Sequence, residues 1–172
     1  AVLFNTLRPY GGAAFFRGGM LKRQELEAAV RSQSLAGAEI QEAGRSLVLR
    51  RRGPLPRSGS WTHQYGDGAN RNLSRDSLVR APLGVLWFGG ASNERLLPRH
   101  GHGPRHLVVG GRIIIEGPDV LRSLDVYTGR LLWEAEFPGL GKAYDNTSHQ
   151  PGANAIGSNY VAPAAAVYVL YG

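Results

Sequence analysis

The chain has 172 residues, 42% of them hydrophobic, with a formal net charge of +7 at pH 7 and no cysteine. This length and apolar content are enough to bury a core. No apolar run approaches the roughly 18 residues of a membrane-spanning helix, so the sequence predicts no transmembrane segment. The absence of cysteine excludes disulfides and zinc–thiolate sites.

The first 52 residues combine short helical and strand patterns. Leu26 and Val30 fall on one face of a predicted helix, while Arg23 and Glu27 have the i,i+4 spacing at which opposite charges pair. A turn at residues 43–45 joins two strand-like runs. The predicted elements, in chain order, are a helix that includes residues 1–4, a strand at 13–16, a helix at 20–33 and strands at 38–42 and 46–49.

A strand, a helix and a β-hairpin in this order follow the helix-breaking residues Pro9, Gly11 and Gly12. This arrangement resembles the C-terminal third of the class I S-adenosylmethionine-dependent methyltransferase fold, although Tyr10 departs from that family's Leu-x-Pro-Gly-Gly spacing. The resemblance implies that residues 1–52 are the C-terminal part of a methyltransferase-like α/β domain. In that fold the methyl donor binds to earlier strands, so no donor-binding residue is assigned.

A short linker is predicted next, at residues 53–60, because Pro54, Pro56 and Gly59 interrupt any regular element. Beyond it, residues 61–63 read Trp-Thr-His, with Asp67 and Asn70 close behind. The remaining chain, residues 61–172, is rich in β-type runs.

The strongest local signal is a hairpin at residues 123–133. Asp125 can accept hydrogen bonds from the amides of its own turn, and Gly129 can take the positive φ that ends the turn. Trp133 then provides a large apolar anchor at the end of the second strand.

Further strand-like runs precede and follow this hairpin. The runs at 107–109 and 112–115 are joined by two glycines, a hairpin signal. Three consecutive isoleucines in the second run predict a strand that is covered on both faces. Trp87 lies 46 residues before Trp133, a spacing typical of a structural repeat, and residues 159–171 repeat the pattern of two strands.

With Ser123 and Arg130 included, the hairpin resembles the blade repeat of quinoprotein-type β-propellers, Ala-x-Asp-x-x-x-Gly-Lys-x-x-Trp. That fold is found in bacterial alcohol dehydrogenases that use pyrroloquinoline quinone (PQQ). The resemblance implies that each repeat's tryptophan docks against the glycine-containing turn of a neighbouring blade. It does not imply chemistry, because the same repeat also builds propellers without a quinone. The residues expected to stabilise the blade, with a structural role, are Asp125, Thr128, Gly129 and Trp133.

The predicted fold class is therefore an α/β methyltransferase-like remnant followed by an all-β part, a partial β-propeller of about two four-stranded blades. A propeller closes with about four to eight blades, so the chain is expected to be a fragment. The order of the two parts resembles a group of large bacterial exported proteins. That resemblance implies a periplasmic or otherwise extracytoplasmic parent protein.

Two histidines are the candidate ligand-binding residues. His100 and His102 lie in a glycine-rich loop and point to the same side in extended geometry. In propellers, such loops surround the central funnel where ligands bind. The two imidazoles could begin a metal site or contact an anionic ligand or cofactor, although a metal ion needs further ligands that the sequence does not place nearby. The favoured interpretation is a hydrogen-bonded loop that shapes the propeller rim, with His100 and His102 as the candidate cofactor-binding residues.

Nucleic acid is not an expected partner. Apart from residues 50–52 and Arg57, the arginines are scattered over predicted strands and turns. A surface that binds the phosphate backbone of a nucleic acid needs its positive charges on one face, preferably with aromatic side chains that stack on bases. The expected partner is an unidentified ligand or protein at the propeller face.

Three functions remain open. The leading hypothesis is a binding or scaffolding propeller. The alternatives are a PQQ-dependent oxidoreductase, for which no calcium-binding carboxylates or catalytic aspartate are recognised, and a methyltransferase that uses S-adenosylmethionine in the parent protein. No catalytic residue is assigned.

Overall fold

The computed structural model describes residues 1–90, 92, 94–97, 103–144 and 157–172. The chain divides into two compact units, Ala1–Pro56 and Arg57–Gly172, and the division falls inside the predicted linker. The described residues are mostly β, in antiparallel sheets, none of which closes on itself. Among the helices in these ranges, none has the length and apolar character needed to cross a membrane.

The first unit contains two helices and a three-stranded sheet. The β3 strand lies between β1 and β2 and is antiparallel to both. Gly44, with φ +61°, allows the tight turn between β2 and β3. The elements are α1 (Val2–Thr6), β1 (Ala13–Phe16), α2 (Arg23–Ser32), β2 (Ala38–Ala43) and β3 (Ser46–Arg51).

One face of α2 covers this sheet. Leu26 is buried against Phe4 and Leu49, and Val30 packs at the margin of the same cluster. On the opposite face, Arg23 pairs with Glu27 at 2.7 Å. The apolar stripe and the i,i+4 pair therefore orient the helix as its sequence pattern indicates.

The two largest boundary differences from the sequence prediction in this unit are the start of α2 and the end of β3. The helix begins at Arg23 instead of residue 20, because a turn closed by the Met20 amide and the Arg17 carbonyl, at 3.1 Å, precedes it. The β3 strand continues to Arg51 instead of residue 49, because a central strand can pair along both edges, and Arg50 lies opposite both Ala13 and Glu39.

The second unit is built on a four-stranded antiparallel meander with the order β4-β5-β6-β7. Gly110 and Gly111 both have positive φ, +58° and +76°, as a tight two-residue hairpin turn requires. A separate pair of short strands follows. The elements are β4 (Leu107–Val109), β5 (Arg112–Gly117), β6 (Val120–Asp125), β7 (Leu131–Glu136), β8 (Tyr160–Val161) and β9 (Tyr168–Val169).

The core of this unit lies between the meander and the β8–β9 hairpin. Tyr160 is among the largest fully buried side chains, and its hydroxyl donates to the Arg105 and Ile114 carbonyls at 2.8 and 3.3 Å. Every residue of β6 is buried, whereas β7 is mostly exposed. The inner strands are thus covered on both faces. The buried cluster comprises Leu107, Val109, Ile114, Leu121, Leu140, Tyr160 and Ala162.

Residues 61–66 add to the open edge of the meander. Trp61 and Val108 exchange two backbone hydrogen bonds, of 2.7 and 2.8 Å, as neighbouring antiparallel strands do. Within the described ranges, the second unit has this one four-stranded sheet and the two-stranded β8–β9 hairpin.

Candidate functional site

The turn between β6 and β7 is held by one aspartate. Asp125 Oδ1 accepts the Tyr127 amide at 2.9 Å, and the Asp125 carbonyl accepts the Gly129 amide at 2.9 Å. The Asp125 amide donates to the Arg130 carbonyl at 2.8 Å, and Thr128 Oγ1 accepts the Arg130 amide at 3.4 Å. Asp125, Thr128 and Gly129 therefore form one compact turn with a structural role.

Trp87 sits on this turn. Its indole Nε1–H donates to the Val126 carbonyl at 2.9 Å. A Cβ added to Gly129 would lie only 2.5 to 2.9 Å from three atoms of the Trp87 ring. Gly129 also has φ +68°, in the left-handed region. This position excludes a side chain for two independent reasons, the backbone conformation and the close approach of the indole.

Trp133, by contrast, lies away from the ring that contacts Gly129. It is half-buried on β7, pairs across the sheet with Ser123, and packs at the margin of the core. It lines a groove of about 310 Å³ together with Leu121, Phe137 and Val167. The structure thus brings three of the four predicted motif residues together and leaves Trp133 on a separate surface.

A buried acid, which the sequence analysis did not single out, lies at the end of β5. Glu116 is only 2% exposed, and its Oε1 accepts the Asn159 Nδ2–H at 3.1 Å. Two oxygens of this pair, Glu116 Oε2 and Asn159 Oδ1, have no hydrogen-bond partner among the described residues. Burial raises the pKa of Glu116 to about 7, although the hydrogen bond from Asn159 opposes this shift.

An open cavity of about 470 Å³ lies beside Asn159, and Tyr144 and Lys142 are also in its wall. The Tyr144 hydroxyl donates to the Gly157 carbonyl at 2.8 Å. Burial, and secondarily the nearby Glu116 charge, raise the pKa values of Tyr144 and Tyr160. One feature of the sequence could have indicated this buried acid. Glu116 directly follows three isoleucines in a strand predicted to be covered on both faces.

The predicted ligand-binding residues His100 and His102 lie outside the described residues. Of the other histidines, His63 Nδ1 lies 2.8 Å from Thr62 Oγ1, and burial lowers the pKa of His106. Across the described ranges, no group of three or more His, Cys, Asp or Glu side chains is placed to hold a metal ion.

Two carboxylates on β7, Glu134 and Glu136, form ion pairs with arginines. Arg95 contacts Glu134 at 3.1 Å and Glu136 at 2.6 Å, and the buried Arg122 contacts the second oxygen of Glu134 at 3.1 Å. These two carboxylates on β7 are therefore neutralised by arginines, an arrangement typical of a structural network.

The run of arginines at the end of the first unit is also engaged within the protein. The Arg51 guanidinium is buried, lies over the Phe4 ring at 5.0 Å, and donates to three carbonyls at the end of α1, including that of Leu7 at 3.2 Å. Arg50 donates to Gln41 at 2.9 Å, and Arg52 pairs with Glu39.

Comparison with known proteins adds no assignment: no family model matches the chain, and neither a curated protein nor a solved structure is significantly similar to it.

Proposed function

We propose that the second unit is part of a β-propeller that serves as a binding or scaffolding module. The observation that carries this proposal is the docking of the Trp87 indole on the Gly129 turn, with its N–H bonded to the Val126 carbonyl. The quinoprotein-type repeat implies this contact between one repeat's tryptophan and its neighbour's turn. On this proposal, β4–β7 form one complete blade.

The spacing of the two tryptophans supports a repeat. Trp87 and Trp133 are 46 residues apart, and each follows two aliphatic residues, Val-Leu in one case and Leu-Leu in the other. Residues 85–90 are then the counterpart of β7, the outer strand of the meander. By the same equivalence, Trp133 docks on the turn of the blade that comes next.

The exposure of residues 80–90, the segment around Trp87, agrees with this role. Phe88 is 99% exposed and Val85 is 85% exposed, and residues 80–90 make no backbone–backbone hydrogen bond to another described residue. An extended apolar segment with open backbone groups is suited to pair with a further strand. We propose that it forms the outer strand of an adjacent blade.

The first unit is proposed to be an appended methyltransferase-like remnant in an exported, extracytoplasmic bacterial protein. Its strand, helix and β-hairpin follow the order that the resemblance implies. PQQ and S-adenosylmethionine belong to the two enzymatic alternatives for the parent protein, and none of the described residues favours either.

The first test is cofactor binding. In equilibrium dialysis, the 172-residue chain is expected to retain neither PQQ in the presence of Ca²⁺ nor S-adenosylmethionine. If the chain retains PQQ and shows the absorbance of the bound chromophore, the scaffolding proposal is wrong and the PQQ-dependent oxidoreductase is favoured.

The tryptophan contact is tested separately by fluorescence. Gly129→Ala is expected to change the tryptophan emission of the wild type, because the added Cβ would meet the Trp87 ring, and to leave the emission of Trp87→Phe unchanged. An emission change of the same size in Trp87→Phe would show that Trp87 does not occupy the turn.

A further inference from the structure

The pairing of Glu116 with Asn159 leaves one oxygen of each side chain without a hydrogen-bond donor from the residues that the structure describes. One hydrogen bond joins the two side chains, from Asn159 Nδ2 to Glu116 Oε1 at 3.1 Å. The remaining oxygen on each side chain, Glu116 Oε2 and Asn159 Oδ1, is buried and lacks a donor within the described part of the chain. Buried acceptors without donors are rare in folded proteins, and each one loses its hydration without compensation.

A single proton would satisfy both oxygens. An ionised carboxylate only accepts hydrogen bonds, whereas a carboxylic acid has one O–H to donate. A primary amide presents a donor and an acceptor side by side, so an acid and an amide can join through two hydrogen bonds. Since one of the two bonds already exists here, a proton on Oε2 would supply the donor for the second.

We propose that Glu116 is a carboxylic acid in the folded protein, that it donates Oε2–H to Asn159 Oδ1, and that this proton fastens the β8–β9 hairpin to the meander. Asn159 directly precedes β8, and its carbonyl accepts the Leu170 amide at 2.7 Å beside β9. Loss of the proton leaves a charged carboxylate in the interior, which favours opening of the hairpin and hydration of the acid.

The groups around Glu116 favour the neutral form. The phenols of Tyr160, from β8, and Tyr144, from the segment after β7, lie close enough to the carboxyl for its charge to raise their pKa values. The Tyr160 hydroxyl donates to backbone carbonyls instead, and β6 presents Leu121 opposite Glu116.

The chain that precedes β4 also lacks a compensating charge. Arg105 directs its guanidinium over the Tyr65 ring at 5.8 Å, and desolvation lowers the pKa of His106, which favours its neutral form. No described cation therefore pairs with Glu116, whose pKa burial raises to about 7. A metal ion is a weaker explanation, because Ca²⁺ takes about six to eight oxygen ligands and this pair offers two free oxygens.

The sign of the pH dependence follows from linkage. In the unfolded chain the Glu116 carboxyl ionises near its ordinary value of 4.5, whereas in the folded protein it ionises near 7. The stabilisation is complete below the lower value and is lost as the pH rises to the higher one. Across that window the folding equilibrium constant falls by up to about tenfold per pH unit, roughly 300-fold in total.

The test uses the 172-residue chain and the variant Glu116→Gln, whose amide supplies the missing donor at every pH. Urea unfolding is followed between pH 4.5 and 8 by fluorescence, because all three tryptophans lie in the second unit. The wild type is expected to lose stability relative to Glu116→Gln as the pH rises to 7. The control Glu94→Gln removes an exposed carboxyl from the same unit and is expected to keep the wild-type profile.

Two measurements on the wild type keep the proposal testable if the variant does not fold. The ¹³C resonance of the Glu116 carboxyl is expected to titrate near pH 7. The protection factor of the Leu170 amide, which corrects its exchange rate for intrinsic base catalysis, is expected to fall above that pH. A carboxyl that titrates near 4.5, or parallel stability profiles for wild type and Glu116→Gln, would overturn the proposal. Stabilisation by added Ca²⁺ that Glu116→Gln abolishes would assign the site to a cation instead.

Discussion

Replacing Gly129 with alanine perturbs the contact between Trp87 and the β6–β7 turn. An L-residue at φ +68° is strained by about 1–2 kcal/mol. The added methyl group would also lie 2.5 Å from the indole, and overpacking of this kind costs about 1–3 kcal/mol. We therefore expect Gly129→Ala to lower the free energy of unfolding of the second unit by about 2–5 kcal/mol.

A matched glycine separates these two contributions. Gly139 also has positive φ, +95°, but a Cβ there would meet nothing within 4 Å. Gly139→Ala is therefore expected to lose only the backbone part, about 1–2 kcal/mol. Urea unfolding followed by tryptophan fluorescence measures both variants.

A double-mutant cycle with Trp87→Ala isolates the steric part. Once the indole is absent, Gly129→Ala is expected to lower the free energy of unfolding only about as much as Gly139→Ala does. The coupling energy between Trp87 and Gly129 is therefore expected to be about 1–3 kcal/mol. The same cycle with Trp133→Ala is expected to be additive. Additive costs for Trp87 and Gly129, or coupling of Gly129 with Trp133, would refute the assignment of Trp87 to this turn.

Two further variants test buried polar contacts. Tyr160→Phe leaves the Arg105 and Ile114 carbonyls without the hydroxyl that they share, and we expect it to lower the free energy of unfolding in urea by about 1–3 kcal/mol. Tyr171→Phe, which removes an exposed hydroxyl, is the control. An equal loss of stability in the control would contradict the reasoning. Arg51→Met removes the buried donor to the α1 carbonyls. We expect it to lower the free energy of unfolding of the first unit by about 1–3 kcal/mol, measured by thermal unfolding with circular dichroism. An unchanged stability would show that water replaces the guanidinium.

Local sequence was sufficient to predict the elements themselves. The apolar stripe of α2 and the glycine pair between β4 and β5 act within a few residues, so their effect can be read from spacing and conformational preference. The helix began three residues later than predicted because the preceding turn ends on a backbone hydrogen bond of Met20, which composition does not reveal.

The arginines at the end of β3 show the limit of such reasoning. Their sequence permits a solvated, basic linker as readily as a strand. Arg51 is instead buried on carbonyls 44 to 47 residues earlier in the chain, and only the folding of α1 onto the sheet brings those acceptors within reach.

The sequence by itself determined which segments become strands, where the chain reverses at the Asp125 turn, and that Gly129 must lack a side chain, because each depends on backbone geometry over a few residues. Only the tertiary structure decided that Trp87 covers that turn from 39 residues away and that Glu116 meets Asn159 across 43 residues. Such contacts depend on how sheets and loops pack, and burial then decides whether a carboxyl holds its proton.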